Sequence, residues 1–319
     1  MSTAETPPAS AIRVRGLHKH YGDVHAVRGI DFDVQSGEIF SLLGPNGAGK
    51  TTTLSILSCL LEPSEGDAWV MGHSIREDSM AVKRAIGVVP QEVALYPDLS
   101  ARENLNFWGK MYGLRGTALR ERVDEVLQIT GLSDRQKGRV DKFSGGMQRR
   151  LNIGIGLLPR PQILFLDEPT VGIDPQSRRN ILDQVKAFNR QGMTILYTTH
   201  YMEEAQELSD HIAIIDQGQL IAYGRHEELV EIVGELDRIR LTINTTSDTV
   251  LGTWQTIEGV RQISAEDSSI TIMADDSNTV LPRLFETAAQ ADVRITGVEV
   301  QEPNLEAVFL HLTGRALRD

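Results

Sequence analysis

The residues Gly44, Pro45, Asn46, Gly47, Ala48, Gly49, Lys50 and Thr51 follow the spacing G-x-x-x-x-G-K-S/T, which is that of a loop built to hold phosphate. Its glycines let the backbone wind until several N–H groups point inward at phosphate oxygens, and a helix that follows adds its positive N-terminal end. Lys50 is placed to reach the β- and γ-phosphates, and Thr51 to offer its hydroxyl to Mg²⁺. A second pair of residues supplies what such a loop lacks. Asp167 and Glu168 end the apolar run Ile163-Leu-Phe-Leu. Asp167 suits the shell of Mg²⁺, directly or through water, and Glu168 suits a general base acting on the attacking water. Alone, two adjacent acids read as a solvated turn; beside a phosphate loop they read as its complement.

Those residues need a scaffold that gathers strand ends. The run 38–43 is apolar and enters the glycine-rich turn, and residues 51–61 follow with helical spacing, so the loop lies between a strand and a helix. Further short apolar runs at 86–89, 163–166, 194–198 and 212–215, separated by helical or mixed segments, are what a buried parallel sheet requires. Ahead of them, alternation at 12–15 and 30–34 predicts strands of an antiparallel, half-solvated sheet. Residues 92–160 read as a mostly helical insertion, with helices at 102–112, 118–129 and 145–158. Gly218 marks a hairpin between 212–215 and 220–223, and a helix at 225–233 closes the first domain near Gly234. The fold class is α/β.

Beyond that boundary the texture changes. Ile239, Leu241 and Ile243 alternate, a helix fits 250–257, a hairpin fits 260–264 with 270–274, and a helix at 279–291 precedes a strand at 293–300. The order βαββαβ is that of a split-βαβ, ferredoxin-like sandwich, closed by a last amphipathic helix at 305–312. The chain thus divides into a tail at 1–10, a large domain at 11–234 and a small accessory domain at 235–319.

Composition narrows the functional classes. Among 319 residues, 40% are hydrophobic and 24% charged, which excludes a disordered or membrane-embedded chain. The longest apolar stretch, 153–166, is cut by Pro159, Arg160 and Pro161, too early to cross a bilayer. A net charge of -12 argues against binding nucleic acid through its phosphates. One cysteine permits neither an internal disulfide nor a multi-cysteine metal site; Cys59, in the apolar stretch LSILSCLL, reads as core. The first ten residues lack the basic and apolar regions of a secretion signal, which predicts a cytoplasmic protein.

With Phe143-Ser-Gly-Gly-Met-Gln148, a short way ahead of the acidic strand end, these motifs resemble the nucleotide-binding domain of ATP-binding cassette (ABC) proteins over residues 12–233. The resemblance implies a P-loop cassette with a parallel core sheet, an antiparallel β subdomain and a helical subdomain, using ATP and Mg²⁺. It also implies roles for single residues. Gly44 to Thr51, with Thr52, contact the nucleotide. Tyr21, in His18-Lys-His-Tyr-Gly22, stacks on adenine, and Gln91 senses Mg²⁺ and the attacking water. Ser144, Gly145 and Gly146 bind the γ-phosphate held by the opposite subunit, and Asp174 lies in a loop that crosses the dimer interface. His200 contacts the γ-phosphate; the other seven histidines read as solvent-facing or structural. Phe143, Met147 and Ile173 replace residues commoner in the family.

Tyr96, Leu99, Phe107 and Trp108 fall where transporter cassettes of the family receive a cytoplasmic helix of a membrane subunit, although a local helical core explains them as well. Residues 167–178 and 302–314 together resemble the daunorubicin and multidrug resistance branch of bacterial exporter ATPases. In that branch the ATPase is a separate polypeptide paired with an ABC-2 type permease. The resemblance therefore implies a homodimeric exporter ATPase, peripheral on the inner face of the cell membrane, for drug, antibiotic or lipid-like cargo. The other reading is a soluble cassette that works as a mechanical or regulatory switch on ribosomes or DNA. Such proteins carry two cassettes or long coiled coils; this chain has one cassette and no sustained heptads.

Overall fold

The computed structural model describes residues 10–232, 236–244, 248–266, 269–291, 293–301 and 304–314. Residues 1–9 of the tail expected over 1–10, the boundary glycine Gly234 and the Glu302-Pro303 start of the C-terminal motif lie outside the described residues, and Ser10, counted with the tail, opens the first strand instead.

Two long strands, β1 (Ser10–Tyr21) and β2 (Val24–Gln35), pair antiparallel and alternate buried with exposed residues, as a half-solvated sheet requires. Next, β3 (Ile39–Leu43) runs into the glycine-rich loop and α1 (Lys50–Leu57) leaves it. β4 (Glu65–Val70), β5 (His73–Ser74), α2 (Ser79–Ala85) and β6 (Ile86–Val89) follow. The insertion is helical as expected: α3 (Ala101–Met111), opened by a Ser100–Glu103 capping box, then α4 (Gly116–Ile129) and α5 (Gly145–Leu157). Alternation resumes with β7 (Ile163–Asp167), α6 (Pro175–Arg190), β8 (Thr194–Thr199) and α7 (Met202–Leu208). The hairpin β9 (His211–Asp216) and β10 (Gln219–Gly224) and then the short α8 (His226–Glu231) follow.

Six strands form the core sheet in the order β10-β9-β3-β8-β7-β6, parallel except at the β9–β10 edge. Helices or another sheet cover both faces of the parallel strands, so β3, β6 and β7 are apolar at nearly every position. Phe40 and Phe165 point toward the antiparallel sheet β2-β1-β4-β5 and meet Ile12, Val14 and Phe32. Leu164, Leu166 and Tyr197 point the other way and meet Leu105, Val123, Leu151 and Ile181 from the helices. Register decides what this sheet can present. Leu43 pairs with Thr199 and Asp167 with Thr198, so β3, β7 and β8 finish side by side at one edge.

One expectation fails locally. The helix foreseen over 51–61 stops at Leu57, where Cys59 takes left-handed backbone at φ 57° and the N–H groups of Leu60 and Leu61 both donate to the Ser55 carbonyl. That reversal takes Cys59 out of the helical register implied by its neighbours. Its thiol sits half-buried at the margin of the core, not within it.

The chain divides into two compact units between His226 and Glu227. In the second, β11 (Asp237–Ile243), α9 (Asp248–Gln255), β12 (Val260–Glu266), β13 (Ser269–Ala274), α10 (Ser277–Gln290), β14 (Ile295–Gln301) and α11 (Leu305–Thr313) follow in order. The sheet order β12-β13-β11-β14, antiparallel throughout, is the split-βαβ arrangement foreseen from the sequence. Ile239, Leu241 and Ile243 alternate inward and meet Trp254 of α9 and Val280 and Leu284 of α10. Trp254 is fully buried, and its Nε1–H donates to Thr287 Oγ1 at 2.8 Å.

Trp254→Ala should therefore cost about 3–5 kcal/mol, a large part of what a unit of this size commands at about 0.05–0.15 kcal/mol per residue. Hydrogen exchange checks it: amides of β11 and β13 should lose protection. Unchanged protection there contradicts the packing described.

Candidate active site

The phosphate loop is shaped by close approaches of backbone. Gly49 has φ 107°, which a side chain resists, and a Cβ there would come within 2.7 Å of the Ala26 carbonyl. The loop delivers Lys50 to the start of α1, where it is 4% exposed. Its Nζ donates to the carbonyls of Gly44 at 2.7 Å and Pro45 at 3.0 Å and pairs with Glu168 Oε1 at 3.0 Å. Glu168 is also buried, and its other oxygen lies 3.1 Å from His200 Nδ1.

The aligned strand ends explain this cluster. Asp167 closes β7 and takes two hydroxyl donors on one oxygen, Thr198 Oγ1 at 2.6 Å and Thr51 Oγ1 at 3.2 Å. Burial pushes the Asp167 carboxyl above its ordinary range, and the two hydroxyls and Lys50 pull against that. Glu168 follows with left-handed backbone at φ 41°, its N–H donating to the Thr198 carbonyl at 3.1 Å. A loop ammonium, two acids, a histidine and two threonine hydroxyls thus gather where three neighbouring strands end. The Thr51 hydroxyl and Asp167 carboxylate, already in contact and both hard oxygen donors, fit a Mg²⁺ ion.

The remaining predicted residues lie apart from this cluster. Ser144 caps α5, accepting from Met147 N, and Asp174 caps α6, accepting from Ser177 N at 2.9 Å. Hydrogen bonds from Ser177 hold the Asp174 carboxyl below its ordinary range. The two helix starts pack together: a Cβ on Gly146 would fall 2.2 Å from Ser177 Oγ, and one on Gly145 would lie 3.6 Å from Ile173. Tyr21 ends β1, exposed, with the Lys19 ammonium 5.3 Å from its ring centre. Gln91 follows β6 with an exposed side chain. Thr52 is half-buried in α1. Among the described residues, no hydrogen bond or ion pair ties Tyr21, Gln91, Ser144 or Asp174 to Lys50, Asp167, Glu168 or His200.

Three supporting residues escaped the sequence reading. Arg149 donates to the carbonyls of Pro90 at 2.9 Å and Gln91 at 2.7 Å, fixing the segment that carries Gln91. Thr198 joins both acids through one hydroxyl, donating to Asp167 and accepting from the Glu168 N–H at 3.0 Å. Glu204, 2% exposed, takes hydroxyl donors from Thr170 at 2.9 Å, Tyr197 at 2.8 Å and Thr199 at 3.1 Å and sits 3.5 Å from Arg178. It ties the residue two after Glu168 to the residue just before His200. Its signal, an acid one helical turn past a strand end, is too common to stand out.

With this geometry in hand, similarity to known proteins is decisive. The ABC transporter family pattern matches residues 27–171, and that of the C-terminal domain of DrrA1-3-like ATP-binding proteins matches residues 231–313. The linearmycin resistance ATP-binding protein LnrL of Bacillus subtilis is 45% identical over 310 residues, covering 97% of this chain and 100% of LnrL. The chain belongs to the ABC transporter ATP-binding proteins. The daunorubicin/doxorubicin resistance ATP-binding protein DrrA of Streptomyces peucetius is 37% identical, over 98% of this chain and 96% of DrrA. Among solved structures, a dimeric bacterial ABC transporter cassette, MJ0796, aligns with a TM-score of 0.61 at 27% identity, covering 67% of this chain and 98% of that one. This chain is accordingly an ATP-binding, ATP-hydrolysing exporter cassette of the drug-resistance branch. ATPases of this family dimerise and work with a membrane permease, and no helix among the described residues is long and apolar enough to cross a membrane itself.

Glu204→Ala strips three buried hydroxyls of their acceptor, and each group left unpaired costs about 1–3 kcal/mol. The variant should melt several degrees lower and hydrolyse ATP more slowly, and Glu204→Gln should recover much of both. Thermal melts and ATPase assays on the pair check this; wild-type turnover in the alanine variant contradicts a positioning role.

Proposed function

We propose that this chain drives export of a drug, antibiotic or lipid-like molecule through a separate ABC-2 type permease on the inner face of the cell membrane. Support comes from full-length similarity to two resistance ATP-binding proteins, tail included. On this reading residues 235–319 are an accessory domain characteristic of that branch, and residues 92–160 form the helical subdomain. Tyr96 and Phe107, edge to face at 4.8 Å and 43% and 37% exposed, belong to the surface we assign to the permease; Trp108 packs against the helical core.

The observation that carries the mechanism is the separation of one chain into two constellations. Lys50, Asp167, Glu168 and His200 form one; Ser144, Gly146 and Asp174, at two adjoining helix starts, form the other. Helix N-termini attract anions, and Ser144 is exposed there. Two chains facing each other would bring the second constellation of one to the γ-phosphate held by the first constellation of the other. Tyr21 stacks on adenine, the loop N–H groups and Thr52 hold the phosphates, and Lys50 bonds the γ-phosphate, which competes with Glu168 for the ammonium. Glu168, released from Lys50, accepts a proton from the attacking water, while Gln91 orients that water and His200 donates to a γ-oxygen. Thr51 and Asp167, together with Gln91, would hold Mg²⁺, which would supply neutralisation of the phosphate charge. Loss of the γ-phosphate removes the link between chains, and the closed and open states of the pair are what the permease follows. The alternative of a permease-free switch has no supporting observation.

Glu168→Gln should keep ATP affinity while lowering kcat by about a hundredfold or more, as loss of a general base does, and should accumulate an ATP-dependent dimer visible by light scattering. Rapid hydrolysis by this variant refutes the assignment of the base. Lys50→Ala should weaken nucleotide binding about tenfold or more, the equivalent of one charge-assisted bond. Undiminished affinity in a fluorescent-nucleotide titration contradicts the role of the loop.

A further inference from the structure

Three of the histidines that sequence reading left as solvent-facing or structural converge at the tip of the first hairpin. His18 and His20 lie two apart on β1 and so share a face of the strand, and His25 on β2 is the cross-strand partner of His20. One nitrogen of each ring lies within 4.8 Å of those of the other two. His18 Nδ1 is 3.0 Å from His25 Nε2, and the rings of His20 and His25 stack with centres 3.8 Å apart. His18 and His25 are half-buried and His20 is exposed.

We propose that His18, His20 and His25 form a binding site for a borderline transition-metal ion, Zn²⁺ in particular. The donor chemistry selects the ion. Three imidazole nitrogens without a carboxylate suit zinc, copper or nickel and disfavour Mg²⁺ and Ca²⁺, which require oxygen. A three-histidine set also leaves a fourth position for water. Position favours convergence: a Cβ at residue 29 would fall 2.8 Å from His18 Nε2, so Gly29 is what lets that ring lie inward with Nδ1 toward His25. Arg28 is the charge opposed to a cation here; it is exposed, with its Nε–H engaged by the His25 carbonyl at 3.1 Å. The stacked His20 ring must turn about χ2 to aim a nitrogen at the ion, a broad torsion that an exposed side chain crosses readily. Bridging β1 to β2 in this way stiffens the strand end on which Tyr21 is the next residue.

The test uses the full chain without a polyhistidine tag and free of nucleotide. Zn²⁺ is titrated against a chromophoric chelator at neutral pH, and Co²⁺ is substituted for its visible absorption. One equivalent per chain should bind with micromolar or tighter affinity, raise the melting temperature, and give the intense bands of low-coordinate Co²⁺. His18→Ala, His20→Ala and His25→Ala should each weaken binding about tenfold or more, as loss of metal-site groups does; the exposed His73→Ala should not. His20 is exposed, so its variant keeps the fold and serves where the others do not. Binding well below one equivalent, or affinity unchanged in His20→Ala, overturns the proposal and leaves an imidazole hydrogen bond and a ring stack alone.

Discussion

A single lysine ammonium, withdrawn almost completely from water, is the constraint around which the cassette is arranged. Lys50 is 4% exposed, and a buried charge costs several kcal/mol unless every direction is partnered. Two loop carbonyls and the Glu168 carboxylate do this here. They are available only because β3, β7 and β8 end in register, and that register rests on strands buried on both faces by apolar side chains. The same ammonium explains why Glu168 tolerates left-handed backbone: the residue is held by Lys50, His200 and two bonds to Thr198.

That arrangement also sets how function is divided. Lys50, Glu168 and His200 satisfy one another within the chain, whereas Ser144 and Asp174 cap their own helices and face outward. Gly146 keeps those two helix starts close enough to act as one surface, since any larger residue collides with Ser177. In the mechanism proposed above, a triphosphate entering the loop changes the first balance, offering Lys50 a stronger anion and freeing Glu168 to act as the base. On the proposed reading the second surface, supplied by another copy, completes the enclosure.

Much of this was legible in the residues. The phosphate loop announces itself by spacing because backbone approach, not side-chain variety, dictates its glycines. The acidic strand end became legible only beside that loop, because two acids closing an apolar run read alone as a solvated turn. The ferredoxin-like order of the tail followed from period-two and helical runs alone. Other features were hidden for physical reasons. Thr198 and Glu204 act through contacts between distant segments, and threonine at a strand end carries no pattern of its own. The misplacement of Cys59 came from extending a helical period through a residue that adopts left-handed backbone, which side-chain hydrophobicity does not report. The three hairpin histidines looked scattered because their meeting depends on cross-strand register at a turn.

The most direct test of the central claim, that each reaction centre is assembled from two chains, is complementation in mixed dimers. Lys50→Ala disables one constellation and Gly146→Trp the other, so each variant alone should be inactive. Reconstituted together with the membrane partner, half of the dimers carry one variant of each kind and retain one undamaged centre. The account predicts ATP hydrolysis well above the sum of the two separate preparations. Mixed dimers that form, verified by mass, yet hydrolyse no more than that sum would contradict it.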